Sequence, residues 1–109
     1  MVFPNKLKTQ MVSQLVRNKK VWRKINGYIV SSVIIIIAKD AIGLRVNIED
    51  NDGKVYWISF DYETGMCIRI AHYDLVICRN IGFFDRIEEL PEEIQKVLEE
   101  YFKQYQEET

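Results

Sequence analysis

The chain is poor in the groups from which most enzymes and metal sites are built. In 109 residues it has one histidine, His72, and two cysteines, Cys67 and Cys78. These three are too few for a zinc site, and the cysteines are not at zinc-ligand spacing. Two cysteines also make no secreted disulfide framework, and the sequence leaves open whether they pair. No Gly-x-Ser-x-Gly elbow, phosphate-binding loop or dinucleotide fingerprint occurs. No apolar run approaches the roughly 20 residues of a membrane span. Lys6 and Lys8 are followed by no signal-peptide core. These absences predict a non-catalytic protein without cofactor or metal, away from the membrane, in the cytoplasm.

Glycine and proline are also sparse, with five and two residues. No linker, repeat or low-complexity tract interrupts the chain, so a single domain over 1–109 is expected. Alanine is scarce while isoleucine, lysine and glutamate are plentiful. That balance fits an A+T-rich and thermophilic source.

What is present starts with the apolar run 27–38. It contains Val30, Val33 and four consecutive isoleucines, Ile34 to Ile37. β-Branched side chains lose rotamer freedom in a helix and fit a pleated surface. Both faces of this run are apolar, which predicts a central strand covered on each side. Leu44, Val46 and Ile48 alternate with Arg45, Asn47 and Glu49 as a half-buried strand. Asp50-Asn51-Asp52-Gly53 reads as a turn and 55–60 as the returning strand. An even loop sets Leu44, Val46 and Ile48 beside Val55, Trp57 and Ser59. Tyr56, Ile58 and Phe60 then lie on the opposite face as a candidate dimer interface or ligand cleft. After the turn 62–65, a four-residue loop sends Met66, Ile68 and Ile70 to the Leu44 face and a three-residue loop with a Gly65 bulge sends them to the Tyr56 face; the former collects the aliphatics on one side. Residues 75–78 read as a short strand, and Phe83-Phe84 as a linker beyond Gly82.

Two helices are expected at the ends. Leu7, Met11 and Leu15 recur every four residues within 5–18. Asn26-Gly27 either caps one long helix over 5–25 or turns a hairpin of 21–25 with 28–33; the β-forming Val21, Trp22 and Ile25 favour the hairpin. Over 91–106, Ile94, Val97, Leu98, Tyr101, Phe102 and Tyr105 form one stripe behind Pro91 and two acids. The expected fold is therefore α+β, an antiparallel meander of four to six strands between an N-terminal and a C-terminal helix.

Charge is segregated along the chain. Residues 1–24 hold seven bases and no acid, and residues 85–109 hold nine acids and three bases. The segment with Arg17, Lys19, Lys20, Trp22, Arg23 and Lys24 combines phosphate-neutralising cations with a stacking ring, the basis of a nucleic-acid reading. A pI near 5.8 weighs against a dedicated DNA binder, and the same cations could face the acidic helix. Glu49, Asp50, Asp52, Asp61, Glu63 and Lys54 resemble the donor set of a magnesium-dependent nuclease. Tight turns require the same residues, however. His72 with Asp74 two residues on reads as a structural pair. The first functional expectation is thus a small homodimeric interaction protein, with nucleic-acid binding second and a nuclease third.

Overall fold

The computed structural model describes residues 22–106. The expected helix over 5–18 lies outside them, as do Arg17, Lys19 and Lys20. Strands β1 (Arg23–Ile25), β2 (Tyr28–Ala38), β3 (Ala41–Glu49), β4 (Lys54–Asp61), β5 (Cys67–Asp74) and β6 (Arg79–Phe84) form one six-stranded sheet. Each strand pairs antiparallel with its sequence neighbours, so the sheet is a simple meander. A short 3₁₀ turn, Ile87–Glu89, leads to the helix α1 (Glu92–Gln106).

The hairpin reading of Asn26-Gly27 holds. Ile25 pairs with Tyr28, and both turn residues have positive φ, 50° and 87°. A type I′ turn needs this at each central position, which Asn and Gly tolerate.

Helix α1 starts cleanly because the carbonyl of Pro91 accepts the amides of Ile94 and Gln95 at 3.0 and 3.1 Å. Glu92 and Glu93 occupy the positive end of the helix dipole. The stripe Ile94, Val97, Leu98, Tyr101 and Phe102 is buried against Val30, Leu44, Val46, Ile48, Ile58, Phe60 and Ile70. Each such side chain contributes on the order of 1.5–3 kcal/mol by leaving water. The Phe60 and Phe102 rings meet edge-on at 6.0 Å. Two polar links fix the helix on the sheet. The Tyr101 hydroxyl reaches Ser32 Oγ at 3.3 Å, and the Tyr28 hydroxyl donates to the Glu93 carboxylate. The second link, with burial, pushes the Tyr28 phenol up to about 12.

Four sequence expectations are corrected. First, β2 is not central. Only three of its residues pair with β1, so among the described strands residues 31–38 form the sheet margin, and Ile36 is 79% exposed. A two-sided apolar run signals burial only where strands flank it on both sides. Second, Tyr56, Ile58 and Phe60 share the face of Leu44, Val46 and Ile48. Glu49 pairs with Val55, leaving the odd number of five residues, 50–54, between them. One residue changes the face of every side chain in β4. Third, β5 is offset against β4, because Ser59 pairs with Arg69 and Phe60 with Cys67. Ile70 therefore reaches the core while Met66 and Ile68 stay exposed. Fourth, residues 75–78 are a turn, and Gly82, Phe83 and Phe84 belong to β6. The Asp74 carboxylate accepts the amides of Val76 and Ile77, which stops β5 at that point.

Among the described residues no helix is long and apolar enough to cross a membrane.

Candidate interaction surface

Helix α1 covers one face of the sheet, and among the described residues no element covers the other. The open face takes Ile29, Val33 and Ile35 from β2, Arg45 and Asn47 from β3, and Trp57 and Ser59 from β4. Arg69, Ala71 and Tyr73 of β5 continue it. Its polar groups are arranged around rings. The Arg45 guanidinium lies 4.7 Å from the Trp57 ring centre, and Trp57 stacks on Tyr73 at 4.5 Å. Arg69 lies 5.1 Å from the centre of Phe83. Asn47 Nδ2 donates to Ser31 Oγ at 3.4 Å. Arg45 Nε and Asn47 Oδ1 are buried, with no hydrogen-bond partner among the described residues. Burial lowers the Arg45 pKa from its usual value.

Two hollows flank Arg45 and Trp57. One, of about 290 Å³, is lined by Ile35, Ile37, Ser59 and Arg69. The other, of about 270 Å³, is lined by Trp22, Ile29, Val33 and Asn47. The chain therefore enters the described structure beside this face. Gly43 of β3 pairs with Ile35, which lines the first hollow. A Cβ there would meet Ile37 Cδ1 at 2.1 Å, so the glycine lets Ile37 fold down over β3. Three residues on the α1 side of β2 and β3 stay exposed. Ile36 and its cross-strand partner Ile42 are 79% and 53% exposed, and Ile34 is 38% exposed.

The candidate interface residues Tyr56, Ile58 and Phe60 are not part of this open surface. Ile58 and Phe60 are fully buried under α1. Tyr56 is half-buried and stacks on His72, with ring centres 4.0 Å apart. The sequence missed Trp57, Arg45 and Tyr73 as a group, because the even-loop register put Trp57 in the core. The signal that could have found them was the alternation of Arg45 and Asn47 along β3, which marks a face with a polar component.

The described part of the basic segment does not form one surface. Trp22 is exposed over the open face. Arg23 lies on the covered side and its Nε is buried without a partner among the described residues. Lys24 shares a hollow with Lys96, Glu99 and Glu100 of α1. The acids of the nuclease reading are occupied by their turns. Asp50 Oδ1 accepts the amides of Asp52 and Lys54 at 2.8 and 3.0 Å. Asp61 Oδ1 accepts those of Thr64 and Glu63, which holds its carboxyl below the usual range. Among the described residues no three His, Cys, Asp or Glu side chains gather as a metal would need. Asp74 likewise serves the 75–78 turn, while His72 stacks on Tyr56, and burial lowers the His72 pKa. Cys67 and Cys78 are both free thiols, and burial pushes Cys67 up to about 11.

Comparison with family models, with curated proteins and with solved structures finds no match to this chain.

Proposed function

We propose that the chain is a non-catalytic interaction protein that acts as a homodimer and works through the surface α1 leaves open. One observation carries this reading. Apolar surface around Trp57, formed by Ile35, Ile37 and Ile68, lies on the face that no described element covers. Exposed apolar surface of this kind marks an association site. Its centre combines Trp, Tyr and Arg, the residue types enriched where partners bind most tightly. Sedimentation velocity over micromolar concentrations tests the reading. Conversion of a 13.0 kDa species to one of twice that mass supports it, and a 13.0 kDa species throughout contradicts it.

Nucleic-acid binding is the second reading, and Arg45 with Trp57 favours it. Both line the hollow that Trp22 overhangs, so cation and rings lie together as on a single-strand binding platform. Binding of a single-stranded oligonucleotide that weakens with salt, and weakens further in Arg45→Ala, supports it. Binding unchanged in Arg45→Ala and in a Lys19/Lys20/Arg23/Lys24 quadruple alanine variant contradicts it.

A further inference from the structure

We infer that the homodimer forms by pairing of the β2 margins, with Ile34 of one copy opposite Ile36 of the other across a two-fold axis near Ile35. This rests on the proposed self-association and names the strand edge that carries it.

In an antiparallel ladder, residues alternate between those that bond one neighbouring strand and those that bond the other. A two-residue hairpin closes on a pair that exchanges hydrogen bonds, here Ile25 with Tyr28. Counting along β2, the N–H and C=O of Ile34 and Ile36 therefore point away from β3. The far strand agrees. The Ile42 carbonyl bonds Tyr62 on the β4 side, so Ile42 does not bond its β2 partner Ile36. The pairing of β1 ends at Arg23, opposite Val30, so no described strand lies beside Ile34 and Ile36.

The margin also lacks the devices that keep a sheet edge apart from other chains. Between Tyr28 and Ala38 there is no charged residue and no proline. The opposite margin differs. β6 has six residues, begins with Arg79, contains Gly82 and is offset against β5 between His72 and Tyr73. Among the described strands, one edge of the sheet is unguarded. Pairing of that edge with its own copy about a two-fold axis uses it up in both chains and leaves guarded β6 edges outside, a closed dimer and not a fibre. The register matches Ile34 to Ile36, satisfies their outward amides and carbonyls, and takes the exposed Ile36 side chain out of water. The open faces of the two copies become one continuous surface, with both Trp57 sites on it.

The test is sedimentation of the full chain against two variants. Ile36→Pro removes an outward N–H that the β2–β3 ladder does not use. Ile36→Lys places a charge on the margin. Both are expected to fold, by far-UV circular dichroism, and to weaken self-association roughly tenfold or more. Val76→Lys, at a similarly exposed residue (75%) in the turn before β6, is expected to leave it unchanged. A wild-type chain that stays monomeric overturns the self-association reading and this one with it. A wild-type chain that dimerises, with both Ile36 variants dimerising as tightly, overturns the edge pairing alone. The same result would assign the contact to the open face or to residues 1–21.

Discussion

The two faces of the sheet are built from the same strands yet obey different rules. On the face under α1 the central positions are aliphatic or aromatic apart from Ser32, and Val30, Leu44, Val46, Ile48, Ile58, Phe60 and Ile70 are sealed from water. On the other face the same strands carry Arg45, Asn47, Ser59 and Arg69 among Val33, Ile35 and Trp57, mostly half-buried. The covered face is held together by burial and tolerates little loss of volume. The open face is held by rings and cations whose contacts remain available to a partner. Sealed apolar side chains therefore concentrate on one side of a single layer, and partly exposed rings and cations on the other.

Matched truncations sharpen that contrast most. Leu44→Ala empties a fully buried site and should cost about 2–5 kcal/mol in urea unfolding. Val33→Ala, one strand away on the open face, should cost about 1 kcal/mol or less. Equal losses would show that the open face is as sealed as the other in the folded chain. Gly43→Ala comes next. The new Cβ must displace Ile37, at a cost of about 1–3 kcal/mol. Ile37→Ala in the same chain should recover part of that loss, since the clash is with its side chain. Failure to recover would place the strain in the backbone near Phe60, whose carbonyl lies 3.0 Å from the same point.

The smallest effect is on pH. Burial lowers the His72 pKa below its ordinary 6.5, so the unfolded chain binds this proton more readily than the folded one. The stability is fully present above about pH 6.5 and declines as pH falls through that value towards the folded pKa. His72→Phe keeps a ring against Tyr56 and removes the titration. The acid limb of thermal stability below pH 6.5 should flatten in this variant. An unchanged limb would remove His72 from the covered side's pH response.

What could be read from the sequence was what local periodicity carries. The stripe from Ile94 to Phe102 and the alternation of Leu44, Val46 and Ile48 each specify an element and its buried side without reference to neighbours. The Asn26-Gly27 turn is equally local, since two positive φ angles require those residues. The facing of β4 was not legible. It depends on whether four or five residues separate paired positions, and the Asp50 amide reaching the Lys54 carbonyl at 2.9 Å sets the odd count. The position of β2 was hidden for a related reason. Its burial is decided by where β1 stops, and nothing within 27–38 records that. The candidate surface was thus missed twice, once because Trp57 was assigned to the core and once because the isoleucine run was assigned to the middle of the sheet. Residues 75–78 misled in the opposite way, because an apolar run can form a turn when a preceding aspartate captures its amides.

The most direct measurement is hydroxyl-radical footprinting of the full chain at low and high micromolar concentration. Ile34 and Ile36 should lose reactivity as concentration rises, while Val76 stays reactive and Phe60 and Phe102 stay protected throughout. Reactivity at Ile34 and Ile36 that is the same at both concentrations would contradict the claim that the margin of β2 is where this chain meets its own copy.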